Sequence, residues 1–260
     1  LPENFPLEHY LSQCGDLLKR ETNYELEAEN INLFSGFLNG SKVIQVPKVY
    51  NKLSTDQTLT MSFLEGRELS NIMEFDQSAR DEISLKLIEL LFDEIFNFKM
   101  VQTDPNLANF LLTRGGKSIC ILDFGACCRV SEDTHRLYKE LLSVALSLDL
   151  NCIKSFLQEK NFIPQETSMA GTKFLENIIS VTINELSKDE TFDFQKSKVF
   201  QLIVQENLNL YFDLIPSSVL GSDFIFIQRK IFGLILFFRS IGTKLPLLKI
   251  LKHQANLLEL

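Results

Sequence analysis

The chain has no tryptophan, three histidines and five cysteines among its 260 residues, and each shortage excludes something. The histidines (His9, His135 and His253) are scattered and form no metal-like cluster, so each reads as a surface or helix-end residue. No two cysteines stand as Cys-x-x-Cys, which argues against a zinc site. An odd count that includes the adjacent Cys127 and Cys128 suits a reducing compartment better than a disulfide framework. There is no basic excess. The net charge is −8, which disfavours nucleic acid as a partner. Long apolar runs are also missing: Ile231 to Phe238 falls far short of the ~20 residues a membrane-spanning helix needs, and Arg229-Lys230 and Arg239 bracket it. We read Phe224 to Phe238 as a buried core helix rather than a membrane-surface helix. No signal or transit peptide is visible, and the chain begins at Leu1 rather than Met.

What is present is the composition of a globular chain, 45% hydrophobic and 23% charged, long enough for one large core. Apolar residues recur at helical spacing from Leu7 to Leu38 and again from Ser78 to Met100, where Ile83, Leu87, Leu90, Leu91, Ile95 and Phe98 share one face. Val43 to Val49 and Leu59 to Phe63 are strand-like, with a turn at Ser54-Thr55-Asp56-Gln57 and a hinge at Glu65-Gly66. From Ser131 onward the pattern is helical: Glu132 to Leu148, Asn151 to Lys160, Pro164 to Lys188, Phe194 to Leu214 and Ser217 to Gly242. No repeat or low-complexity linker divides the chain.

The strongest signal lies between residues 104 and 125. Asp104-Pro105-Asn106-Leu107-Ala108-Asn109 places an Asn five positions after an Asp, and Leu122-Asp123-Phe124-Gly125 follows. Between them, the apolar runs Phe110-Leu111-Leu112 and Ile119-Cys120-Ile121-Leu122 flank the turn signal Arg114-Gly115-Gly116-Lys117. A hairpin of this kind brings its two ends together, so Asn109 and Asp123 can face one ion. Mg²⁺ takes few protein oxygens alongside phosphate oxygens, and one Asp with one Asn suits it. In that arrangement Asp123 and Asn109 are the metal ligands, and Asp104 positions or activates an attacking hydroxyl or water. The plain alternative is an Asx-turn, a hairpin and a glycine turn with no ligand, in which Asp104 only caps its own loop.

The flanks of this motif carry a resemblance. Gln102-Thr103-Asp104-Pro105-Asn106 with Ala108-Asn109-Phe110 is similar to the catalytic loop of the UbiB (aarF-domain) family of atypical kinases, in its branch that supports coenzyme Q biosynthesis. Glu21-Thr22-Asn23-Tyr24-Glu25-Leu26-Glu27-Ala28-Glu29-Asn30 resembles that family's Glu-Cys-Asp-Tyr-x-x-Glu-Ala-x-Asn helix. Val46-Pro47-Lys48-Val49, Leu59-Thr60-Met61 and Glu65-Gly66 resemble its following strands and hinge. Leu122-Asp123-Phe124-Gly125-Ala126 matches its metal motif, and Glu190-Thr191-Phe192-Asp193-Phe194 resembles a later helix boundary. The likeness runs from about Leu1 to about Lys244, nearly the whole chain.

The resemblance implies an α+β, protein-kinase-like fold over residues 1–260. Residues 1–65 would be a partial N-terminal lobe and 66–260 a helical C-terminal lobe. It implies Mg²⁺ and ATP as cofactors, with Glu27, Met61 and Glu65 on the nucleotide side. Glu27 would be the helix carboxylate that pairs with a nucleotide-gripping Lys, and Met61 to Glu65 the stretch that borders the adenine. It further implies a mitochondrial location, ubiquinone-biosynthesis proteins or lipid precursors as partners, and room for peripheral membrane contact.

The departures are as specific. The family's Gly- or Ala-rich nucleotide loop, its Lys-x-Gly-Gln segment and its Lys-bearing strand have no counterpart here. The lysines before the hinge are Lys19, Lys42, Lys48 and Lys52, none of them in a Val-Ala-x-Lys-like strand. Asn23 stands where the family has Asp, and Leu107 where it often has Trp. We therefore read the chain as beginning just after the Lys strand, with the first 65 residues loosely attached. Two functions stay open: an atypical kinase or ATPase of the UbiB type, or a non-catalytic, pseudokinase-like interaction module in a lipid-biosynthesis complex. Without its Lys, Glu27 reads equally well as a solvated helix carboxylate.

Overall fold

The computed structural model describes residues 23–113, 117–163, 167–188, 190–205 and 221–260. It divides into two units. One contains the described residues of 23–130 together with 225–243, and the other those of 131–224 together with 244–260.

The first unit begins with helix α1, Tyr24–Phe37. The Asn23 side chain caps it by accepting from Leu26 N at 3.0 Å, a role Asp would fill equally well. Glu27, Asn30, Ile31 and Phe34 recur at helical spacing and form its buried face. Strand β1, Ile44–Gln45, follows. The expected strand Val43 to Val49 is cut short at Pro47, which has no N–H to continue a ladder. The chain pairs again at Val49, bridged antiparallel to Met61, with Tyr50 N donating to Thr60 O and Ser62 N to Lys48 O, both at 2.8 Å. Thr55 and Thr58 close the expected turn around Asp56-Gln57.

Beyond the hinge lie β2, Arg67–Glu68, and helix α2, Gln77–Phe92, which Asp76 caps at Ala79 N. A hinge glycine is required: a Cβ on Gly66 would lie 2.8 Å from both Leu111 Cβ and Leu112 O. The sequence reading carried α2 to Met100, and the structure corrects this. After Phe92 one wider π-helical turn spans Asp93–Asn97, burying Glu94, Ile95 and Phe96 in succession. Lys99 then takes φ 50°, and Met100–Gln102 form strand β3. The partner that makes β3 a strand is β6, Cys127–Arg129, antiparallel and 25 or more residues away, which helical periodicity cannot register.

The hairpin forms as expected from β4, Phe110–Leu112, and β5, Ile119–Ile121, in the register Phe110↔Ile121, Leu111↔Cys120 and Leu112↔Ile119. With β1 parallel to β5 and β2 antiparallel to β4, the sheet order is β1-β5-β4-β2. Residues 23–65 are therefore less loose than expected: β1 extends the sheet, and Ile31 and Phe34 are fully buried, with the Phe34 ring 4.8 Å from that of Phe124.

In the other unit, Ser131 caps α3, Glu132–Leu146, and Asp149 caps α4, Leu150–Glu159. Helix α5, Met169–Lys188, buries Leu175 and Ile179 against Ile163, Ile153 and Leu157. The stretch Glu190 to Phe194, expected at a helix boundary, instead holds strand β7, Phe192–Asp193. Helix α6, Lys198–Gln205, follows. Helix α7, Ser222–Ser240, gives Asp223 and Phe224 to this unit and residues 225–240 to the first. Strand β8, Lys244–Leu245, pairs with β7, and α8, Leu247–Leu257, ends the chain. The expected segments 7–22 and 206–220 lie outside the described residues.

Helix α7 is buried on one face, through Phe224, Ile227, Leu234, Phe237 and Phe238, while Phe232 and Leu236 face outward. No helix among the described residues is long and apolar enough to cross a membrane. Gly233 lies directly on Pro105, so a Cβ there would overlap the proline ring. Gly233→Ala should cost about 1–3 kcal/mol in denaturant unfolding through overpacking. Gly36, with nothing within 4 Å of a built Cβ, supplies the control: Gly36→Ala should be stabilising, by up to about 1 kcal/mol.

Candidate metal and nucleotide site

Strand β3 delivers Asp104 two residues past its end, and Asp123 stands four residues before β6, so the β3–β6 pairing brings the two aspartates to one place. Thr103 locks that end of the ribbon: its N and its Oγ1 both donate to Ala126 O at 2.8 Å. Asn109 ends a single 3-10 turn, Leu107–Asn109, just before β4. Its main-chain oxygen accepts from Leu122 N at 2.9 Å, which closes the base of the hairpin next to Asp123.

The carboxylates divide their oxygens between two tasks. Asp104 Oδ1 accepts from Asn106 N at 3.3 Å and Asp123 Oδ1 from Gly125 N at 2.9 Å, so each fixes its own turn. Their Oδ2 atoms converge on one donor: Asn109 Nδ2 lies 2.6 Å from Asp104 Oδ2 and 3.4 Å from Asp123 Oδ2. The three predicted residues are thus brought together, and the turn-forming role offered as the alternative for Asp104 is filled as well, by its other oxygen. Arg229 adds a cation beside them, Nη2 lying 3.5 Å from Asp104 Oδ1.

Glu27 reaches the same place from α1. It is 9% exposed, so it is not the solvated helix carboxylate offered as an alternative, and Oε1 accepts from Phe124 N at 3.4 Å. Asn30, one turn on, donates to Phe124 O at 2.8 Å, so the Phe124 peptide is held on both sides. Burial pushes the Glu27 carboxyl above the usual carboxylate range, and the nearby Asp123 charge pushes the same way against the pull of the Phe124 N–H. The charge it meets is Asp123's. Met61 sits elsewhere, in the bridge to Val49, and Glu65 is exposed on the approach to β2.

Sequence reasoning missed several residues around this group. Gln102, fully buried, donates through Nε2 to Asp104 O at 3.2 Å and to Asp123 O at 3.3 Å. Beneath it, Glu94 and Lys230 form a buried ion pair. Gln102 stood inside the quoted motif, but Glu94 and Lys230 carried no local signal.

Two carboxylates and an amide are hard oxygen donors of the kind a divalent Mg²⁺ takes. The shared N–H between the Oδ2 atoms marks where positive charge is favoured, and Asp104, Asp123 and the Asn109 amide oxygen are the groups that would hold the ion. Among the described residues no three His, Cys, Asp or Glu side chains gather as a metal set.

Residues 1–157 match the family described as ABC1 atypical kinase-like domain. The chain belongs to that family. The likeness to UbiB atypical kinases drawn from residues 102–110 and 122–126 therefore holds. Along 97% of its length the chain is 28% identical to "Atypical kinase COQ8, mitochondrial" of Saccharomyces cerevisiae, covering 50% of that protein. It is 29% identical to the zebrafish (Danio rerio) "Atypical kinase COQ8B, mitochondrial" over 78% of its length and 32% of the relative's. The chain thus spans half or less of these relatives, and the mitochondrial compartment expected for it is the one their names carry. A solved structure of Rv3197 with erythromycin, from Mycobacterium tuberculosis, superposes over 96% of this chain and 62% of that one. With a TM-score of 0.73 at 18% identity it shows the fold alone, which is kinase-like, helix-rich and α+β as expected.

A pH test follows from Glu27. A carboxyl whose folded pKa is raised above its unfolded value stabilises the fold fully below the unfolded pKa, and that contribution is lost as pH rises through the folded one. Glu27→Gln, which stays neutral, should melt with the parent below pH 4.5 and at higher temperature than the parent at pH 7 in metal-free buffer. Thermal melts across that range check it, and equal melting at pH 7 would show that Glu27 carries no such strain.

Proposed function

We propose that this chain is the metal- and nucleotide-handling part of a UbiB-type atypical kinase or ATPase. The observation that carries the reading is the convergence of Asp104 Oδ2 and Asp123 Oδ2 on Asn109. In this reading Asp123 and Asn109 hold Mg²⁺ bridging ATP phosphates, and Asp104 orients the attacking hydroxyl or water. Bound Mg²⁺ would neutralise the phosphate charge that builds up during transfer. Arg229, half-exposed, lies beside Asp104 and helps to aim that carboxylate. Met61 to Glu65 border the adenine through main-chain groups. Residues 1–65 act as the N-lobe side of the site and 66–260 as the C-lobe side.

By kinship with the COQ8 proteins, the physiological setting is coenzyme Q biosynthesis in mitochondria, with proteins or lipid precursors of that pathway as partners. A second reading has one observation in its favour. Glu27 meets the charge of Asp123 where an active site of this kind would set a Lys, as a non-catalytic interaction module would tolerate.

Calorimetric titration with Mg-ATP tests both. Without a Lys strand or a phosphate-covering loop in these 260 residues, affinity should be weak, in the millimolar range. Asp123→Asn, which keeps shape and removes charge, should abolish that binding without lowering the melting temperature. Undiminished binding by a folded Asp123→Asn variant would sink the metal reading and leave the interaction module.

A further inference from the structure

The buried ion pair beneath the site has no part in binding metal or nucleotide, yet its connections all lead to the loop that does. Glu94 is fully buried in the π-helical turn after α2, and Lys230 is 3% exposed in the middle of α7. Burying two charges this deeply is costly, and apolar residues of the same size often serve stability as well or better. Stability alone is therefore a poor account of them. Glu94 uses Oε2 for Lys230 and Oε1 for Gln102 N, at 3.2 Å. Gln102 in turn is the residue whose Nε2 spans the main-chain oxygens of Asp104 and Asp123. Its own Oε1 is buried with no partner, so the Gln102 amide holds this orientation for what its nitrogen does. A flipped amide would set an acceptor against two carbonyl oxygens.

We infer that Glu94, Lys230 and Gln102 are positioning residues, in which Lys230 neutralises Glu94, the Glu94 acceptor oxygen fixes Gln102, and Gln102 sets the spacing between the Asp104 and Asp123 loops. Glu94 lies within the π-helical turn, a wider turn of a kind frequent at functional sites. Helix α7 supplies the other end from more than 120 residues away, through Lys230, with Arg229 and Gly233 touching Asp104 and Pro105 from the same helix. The inference rests on the Asp104–Asn109–Asp123 group being the metal site, but it concerns loop geometry and can be read without any ligand.

The test compares two uncharged pairs in the 260-residue chain. Glu94→Gln with Lys230→Met loses the ion pair but keeps an acceptor for Gln102 N. Glu94→Leu with Lys230→Met loses both. Amide hydrogen exchange at residues 102–109 and 122–126 should stay within about threefold of the parent in the first pair and quicken about tenfold in the second, at matched exchange in α3 to α5, as expected for loss of one buried hydrogen bond. Mn²⁺ binding, followed by its paramagnetic signal, should weaken about tenfold in the second pair only. Equal exchange in the two pairs overturns the inference. If the parent binds no Mn²⁺, it is the metal reading of the site that fails, and exchange still decides the positioning. Should the Leu/Met pair not fold, Gln102→Met decides instead: it leaves the ion pair in place and removes only the Nε2 donor. The same tenfold loosening supports the role, and parent-like exchange ends it.

Discussion

Like charges are the constraint around which the site is built. Two carboxylates roughly 5 Å apart repel by about 3 kcal/mol at an effective dielectric near 20, and more where water is excluded. Asp104 and Asp123 are nonetheless brought to a single amide, and the ordinary scatter of side chains would relieve that repulsion at once. What prevents relief is main-chain geometry. Each aspartate is tied by its own Oδ1 to an N–H two residues on. Each also sits at the end of a segment fixed by the β3–β6 ribbon, with Thr103 bonded twice to Ala126. Neither carboxylate can rotate away without breaking the turn that carries it.

The same logic extends downward. The ribbon's Gln102 would be an isolated buried amide if Glu94 did not accept from its N–H, and Glu94 would be an isolated buried charge if Lys230 did not neutralise it. Each polar group in the stack is tolerated because of the one beneath it, and the last sits on α7. The same helix approaches the Asp104–Asn109 loop so closely that a Cβ at position 233 would overlap Pro105. A helix that supplies a buried cation at one position and a bare backbone one turn later has little freedom to shift.

The legible and illegible parts of this chain divide along sequence distance. The hairpin and its two site residues were readable because strand, turn and strand are contiguous, and register within a hairpin follows from the turn. Asp104 was readable from a short motif. The ribbon was not, because Met100 to Gln102 continue a helical apolar pattern, and only their pairing with Cys127 to Arg129 makes them extended. The shortening of β1 at Pro47 could have been read locally. Glu94 and Lys230 could not: each is a charged residue in an amphipathic helix, and nothing in spacing distinguishes a buried ion pair across 136 residues from two solvated side chains. Glu27 was read as ambiguous for the same reason. Its burial comes from Phe124, 97 residues on, rather than from its acidic neighbours on α1.

The charge distribution also bears on what the site favours. Three carboxylates, Glu27, Asp104 and Asp123, face one guanidinium there, and the surrounding protein is net acidic. A bare triphosphate approaching this place meets repulsion that one guanidinium only partly offsets, whereas a divalent cation meets attraction from the three carboxylates. That electrostatic balance favours a cation over a free polyanion. Protonation of Glu27 would remove one of the three negative charges there. Glu27 thus acts electrostatically, in this chain, directly on Asp123.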